Sequence, residues 1–152
     1  MERGISVKKL FISLFLFCCL QAANAGESTG TANDIVLIAS KESSLNQLSL
    51  LEVRKLFIGM PVVKNGIHLM PVINVSDQMI QNTFLQSMVF MTENTYKRQL
   101  LKRTIKYGTI LPKKYDDIRE LIKKISSNGS MVSFMRRSDL KSHPELKVVE
   151  IL

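Results

Sequence analysis

Short apolar runs alternate with capped amphipathic segments over residues 34–152, and that alternation restricts the chain to an α/β fold. The run Ile35-Val36-Leu37-Ile38 is short, β-branched and uninterrupted, which predicts a buried strand. Ser49-Leu50-Leu51-Glu52 then has the form of a capping box. Its hydroxyl and carboxylate are each placed to satisfy an orphan backbone donor at a helix start. Leu50, Val53, Leu56 and Phe57 share one face of that helix, and Gly59 followed by Pro61 ends it. Asn65-Gly66 signals a tight turn. Residues 67–74 read as a second strand, in which Pro71 predicts an edge position or an irregularity.

The alternation continues towards the C-terminus. Ser76 or Asp77 caps a helix running to about Met91, and residues 95–107 form another with Gly108 as its stop. Tyr96, Leu100 and Thr104 lie along one side of that second helix. Residues 115–127 are the most regular stretch, with Ile118, Leu121, Ile122 and Ile125 at three-four spacing. Asp116 and Asp117 sit at its positive end, Lys123 and Lys124 at its negative end, and Gly129 lies just beyond. Residues 131–135 and 147–151 are the last strand candidates.

The N-terminus carries a separate message. Lys8 and Lys9 precede an apolar run at residues 10–20 broken only by Ser13, and Ala23-Asn24-Ala25 offers the small residues a signal peptidase reads. That run is shorter than the roughly 20 apolar residues of a membrane-spanning helix. The expectation is a cleaved signal peptide at residues 1–25, a flexible leader at 26–33 and one domain at 34–152. The protein is then periplasmic, with no transmembrane segment in its mature chain. Both cysteines, Cys18 and Cys19, leave with the signal, so the domain depends on its apolar core rather than on a disulfide. Cleavage also removes Arg3, Lys8, Lys9 and Glu2, leaving 18 basic and 12 acidic residues, a net charge of +6. Such a field concentrates anions. Export sets nucleic acid aside as a partner and leaves small oxyanions, anionic lipid or polysaccharide, and acidic proteins.

The segment Ser44-Leu45-Asn46-Gln47-Leu48-Ser49-Leu50-Leu51-Glu52-Val53-Arg54-Lys55-Leu56-Phe57-Ile58-Gly59 resembles small phosphate-type periplasmic solute-binding proteins. These are PstS-like chains with a periplasmic-binding-protein-like (type II) domain. Their pattern of a capped helix, Phe-x-Gly, an Asn-Gly turn, a strand near Pro-Val, and a serine opening a Phe-bearing helix is matched by Asn65-Gly66, Pro71-Val72, Ser76 and Phe84. Gly108, Pro112 and residues 131–135 occupy the later places. The resemblance implies a single compact α/β domain, a short mixed sheet flanked by about four helices. It also implies capture of a small phosphate-like oxyanion without catalysis or cofactor, and an ABC permease or an envelope sensor or receptor as partner.

By the same resemblance the ligand-binding candidates are Ser43 and Ser44 after the first strand, and Asn74, Ser76, Asp77 and Gln78 after the second. Hydroxyls and helix N-termini at strand ends suit an anion because orphan N–H groups and the helix dipole point there. Asp77 repels a dianion but accepts a hydrogen bond from a protonated phosphate oxygen. Each serine has a plainer alternative as a loop or cap residue. The chain departs from the family where an Arg commonly follows the serine: Met79, Ile80 and Gln81 stand there. Ser133-Phe134 replaces a Gly-Tyr, and the chain has no Trp.

A degenerate binding-protein fold acting as an interaction or signalling module in the cell envelope is the competing reading. Its docking residues are Arg98, Lys102, Arg103 and Lys106, set against the alternative of an ordinary solvated helix face. His68 and His143, the only histidines, make no metal site by themselves. Ser138-Asp139-Leu140-Lys141 matches a Ser-x-x-Lys nucleophile pattern, but its companion motifs are missing.

Overall fold

A computed structural model describes residues 34–152; the signal peptide and the leader expected at residues 1–25 and 26–33 lie outside that range. The strands are β1 (Ile35–Ser40), β2 (Gln47–Leu48), β3 (Val63–Lys64), β4 (Ile67–His68), β5 (Met70–Asn74), β6 (Lys113–Tyr115), β7 (Met131–Arg136) and β8 (Leu146–Ile151). The helices are α1 (Leu50–Phe57), α2 (Gln78–Phe84), α3 (Glu93–Tyr107), α4 (Ile118–Ser126) and the short α5 (Arg137–Leu140). A π-helical turn, Leu85–Val89, prolongs α2.

Six strands form one mixed sheet in the order β2-β8-β1-β7-β5-β6, and β3 and β4 form a separate hairpin. β1 is antiparallel to both β7 and β8, whereas β5 is parallel to β7 and to β6, and β2 to β8. Thus β1 alone runs against its sheet. Its alternate residues feed two cores. Ile35, Leu37 and Ala39 pack with Phe134 and Ile73 under α1, α2 and the π turn. Val36 and Ile38 pack with Met135 and the Leu121, Ile122 and Ile125 stripe of α4. The result is a three-layer sandwich with β1 buried on both faces.

At the centre of the first core, Phe84 and Phe134 stack at 3.8 Å with an interplanar angle of 4°. Phe57 meets both rings edge-on, at 4.6 and 6.0 Å. Tyr96 ties α3 down by donating its hydroxyl to the Phe57 carbonyl at 2.7 Å. Burial pushes the Tyr96 phenol well above its usual range.

The capping box forms as read: Ser49 Oγ accepts from Glu52 N–H, and Ser49 N–H donates to Glu52 Oε2 at 2.8 Å. Lys64 then pairs with Glu52 at 2.9 Å and pins the β3–β4 hairpin to α1. The Ser49 backbone N–H first, then Lys64, holds the Glu52 carboxyl below its ordinary value of 4.5. Folded Glu52 therefore binds fewer protons near that pH than the unfolded chain does. Its contribution is complete above pH 4.5 and is lost as pH falls through the depressed folded value. Glu52→Gln should lose about 1 kcal/mol at pH 7, and acid should narrow its deficit against wild type, read from urea midpoints at pH 7 and pH 3. An unchanged deficit across that range would refute the assignment.

Asn65-Gly66 makes the hairpin turn, with φ of 52° and 76°. Gly59 is required twice over: its φ is 79°, and a Cβ there would sit 2.8 Å from Thr109 Cγ2.

Several boundaries differ from the sequence reading. Residues 67–74 are two strands, β4 and β5, divided at Leu69, whose N–H donates to Val62 O. Pro71 is not on an edge strand, since β5 lies between β7 and β6. Met70 N–H points to Ser130 O on the β7 side, so alternation turns the missing Pro71 donor towards β6, which begins only opposite Val72. Of the two caps read for α2, Ser76 or Asp77, it is Asp77 that fills the role. Thr92 caps α3, which starts at Glu93. Tyr115 belongs to β6, and α4 starts at Ile118 behind an Asp117 cap.

Candidate functional site

Strand direction decides which predicted residues meet. Because β1 opposes its neighbours, the ends of β5, β6, β7 and β8 share one rim of the sheet with the start of β1. Asn74, Ser76, Asp77 and Gln78 lie on that rim. Ser43 and Ser44 follow the end of β1 and lie on the opposite rim. Ser43 Oγ donates to Gly129 O, just before β7, whereas Asn74 Nδ2 donates to Phe134 O near the end of β7. Five residues of chain separate those carbonyls, roughly 16 Å at about 3.3 Å per residue. The six predicted ligand residues therefore do not line one hollow.

The two serines after β1 are committed to structure. Ser43 is buried, and its hydroxyl also accepts from Leu45 N–H at 3.2 Å. The Ser43 carbonyl accepts from Lys147, whose ammonium also reaches Asn46 Oδ1 at 2.8 Å. Ser44 is exposed, and its carbonyl accepts from Asn65 Nδ2 at 3.2 Å.

The opposite rim is a constellation. Asn74 is fully buried; its Oδ1 accepts from Ser76 N–H at 3.1 Å and from Ser76 Oγ at 2.6 Å. This folds the chain after β5 so that Asp77 faces the start of α2. Asp77 Oδ1 accepts from Met79 N–H at 2.7 Å and Ile80 N–H at 3.3 Å, filling the helix head with the chain's own carboxylate. Asp77 Oδ2 accepts from Arg136 at 2.8 Å, from the last residue of β7. Gln78 stands exposed at the first position of α2. Arg136 thus brings a guanidinium from the end of β7 to this rim, beside Asp77.

Arg137 pairs with Asp34 at 2.7 Å and donates its backbone N–H to Asp34 O. Beside them opens a cleft of about 610 Å³, walled by Ile35, Met88, Val149 and Ile151. Sequence reasoning missed both arginines. The available signal was their place directly after an apolar strand, the same logic that picked Ser76.

The predicted docking residues divide. Arg98, Lys102 and Lys106 are exposed on α3. Arg103 is turned inward, its guanidinium 5.2 Å from the Tyr107 ring centre. Among the described residues no three His, Cys, Asp or Glu side chains cluster as metal ligands, and no helix is long and apolar enough to cross a membrane.

No protein-family model and no curated protein matches the chain. Solved structures do. The chain is similar to an ABC-type phosphate transport receptor from Vibrio cholerae, at 9% identity and TM-score 0.57, over 77% of this chain and 45% of that one. It is similar to PstS from Borrelia burgdorferi, at 12% identity and TM-score 0.54, over 77% and 46%. A Clostridium perfringens structure described with bound phosphate aligns at 16% identity and TM-score 0.58, over 77% and 44%. The fold is therefore PstS-like, of the periplasmic-binding-protein-like α/β class. The chain spans less than half the length of these structures.

Proposed function

We propose that this domain is an exported solute-binding-type protein that takes phosphate or a related oxyanion, for uptake or sensing, on the rim where α2 begins. The observation that carries the reading is the Arg136–Asp77 pair, set against buried Asn74 and the Ser76 hydroxyl. Arg136 spends one N–H on Asp77, and a guanidinium has five donors in a planar fork. The others are free to meet an oxyanion while Ser76 Oγ swings from Asn74 to donate to it. Asp77 then accepts the proton of a protonated oxygen, which favours phosphate over sulfate. Capture of this kind needs no nucleophile and no cofactor. Because the structural neighbours are about twice as long, a second lobe, a second copy or an ABC permease would close the open side.

Isothermal calorimetry with phosphate and sulfate tests this. Saturable heat with phosphate is expected, reduced about 10–100-fold in affinity by Arg136→Ala, the worth of one charge-assisted hydrogen-bond set. No saturable binding at millimolar phosphate overturns the proposal.

One observation favours a second reading. The Asp77 carboxylate already fills the head of α2, the place an anion would take. On that reading the fold has lost its ligand and serves as an interaction or signalling module for an envelope sensor or receptor, through the exposed Arg98, Lys102 and Lys106 rather than the half-buried Arg103. Glu substitutions at Arg98, Lys102 and Lys106 would then remove a pull-down partner.

A further inference from the structure

Helix α3 spans 15 residues, yet only Tyr96 and Leu100 are buried on it. The side turned away from the domain carries Leu101, 58% exposed, and Ile105, 78% exposed, one turn apart. After Gly108 the chain reverses, and Thr104 Oγ1 donates to Thr109 O at 3.0 Å, folding the turn back along the last turn of α3. The next two residues are Ile110, 89% exposed, and Leu111, also exposed. Leu101, Ile105, Tyr107, Ile110 and Leu111 are thus all exposed along the second half of α3 and the turn after it.

Cations border this tip. Arg98, Lys102 and Lys106 follow at i, i+4 and i+8 beside the Leu101–Ile105 stripe, and none has a salt-bridge partner among the described residues. The acidic residue of the helix, Glu93, is at its far end and already paired with Lys97 at 2.7 Å.

We propose that the C-terminal end of α3 and the turn after it form an interfacial contact for an anionic bilayer surface: Leu101, Ile105, Ile110 and Leu111 enter between headgroups while Arg98, Lys102 and Lys106 bind their phosphates. Aliphatic and tyrosine side chains beside Lys and Arg are the composition of an interfacial segment. Charge complementarity selects the occupant. A second copy would bring the same cations into contact, and repulsion opposes that pairing. This contact stands apart from the oxyanion rim and does not rest on it.

The chain has no Trp, so Ile110→Trp in the full chain places one local reporter in the tip. Lipid binding through residues 10–20 leaves that reporter in water. Vesicles of phosphatidylglycerol and phosphatidylcholine should shift its emission to the blue and expose it to lipid-borne quenchers, whereas phosphatidylcholine alone should not. Adding Arg98→Glu and Lys102→Glu should weaken the partition by more than about tenfold, as should raised salt. Leu101→Ser with Ile105→Ser should abolish the shift with the circular dichroism spectrum unchanged. No shift, an equal shift on neutral vesicles, or a lipid-free shift that grows with protein concentration, the mark of self-association, overturns the proposal.

Discussion

Phe134→Ala should remove about 3–5 kcal/mol of stability, the usual loss when a core phenylalanine is cut back to Cβ. Phe134 is stacked on Phe84 and edged by Phe57, and all three rings are fully buried, so the cavity has nothing soft around it to collapse inward. Domains of this size are commonly stable by about 5–15 kcal/mol, so the loss would remove a large share of the total and, at the low end of that range, bring the variant to the edge of folding. Phe134→Leu keeps most of the volume and should lose roughly 1–1.5 kcal/mol. The loss would reach the rim as well, because Arg136 is two residues further along β7. Urea denaturation followed by circular dichroism reads both values. A deficit below about 1 kcal/mol for the alanine variant would mean that the three rings do not form the core described here.

Local chemistry was legible in the sequence, and strand direction was not. The Ser49–Glu52 box, the Asn65-Gly66 turn, the α4 stripe and Gly108 in the left-handed region each depend on residues within one or two turns of chain. Spacing therefore reports them. Strand β6 escaped notice because Lys113 and Lys114 are exposed on an edge strand of only three residues, too short and polar for any alternation to show. The π turn after Phe84 likewise leaves no mark in the apolar pattern.

The larger failure concerned the site. An apolar run predicts a strand whichever way it points, so Ser43 and Ser76 both read as hydroxyls at the tip of a strand. Antiparallel pairing of β1 with β7 and β8 sends them to opposite rims. Arg136 was hidden for a related reason: it reaches Asp77 across 59 residues of sequence, through a pairing of β5 with β7 that no local pattern encodes. What survives on the rim is a cluster in which Asn74, a ligand-binding candidate by sequence, holds the loop together through its hydrogen bonds to Phe134 O and Ser76.

Asn74→Asp tests that role, because it keeps shape and one oxygen while exchanging a donor for an acceptor. The wild-type amide donates to Phe134 O at 3.1 Å, and its oxygen accepts from Ser76 N–H and Oγ. In the variant a second carboxyl oxygen faces the Phe134 carbonyl in a site with no solvent, so the group holds its proton and its folded pKa rises above the usual aspartate value of about 3.9. A raised folded pKa means that the folded state binds more protons than the unfolded one. The variant is then nearest to wild type below about pH 3.9, and its deficit grows as pH rises towards the elevated folded value before levelling. At pH 7 the deficit should reach about 2–4 kcal/mol, and phosphate binding should fall with it as Ser76 loses its anchor. Asn74→Ala orphans the same partners without adding a charge, so its deficit should be similar in size but flat with pH. Urea midpoints for both variants against wild type at pH 4 and pH 7 separate the two cases. Equal deficits for the aspartate variant at both values would mean that the 74 side chain reaches water, and the buried amide could not then be what positions Ser76 and Asp77 beside Arg136.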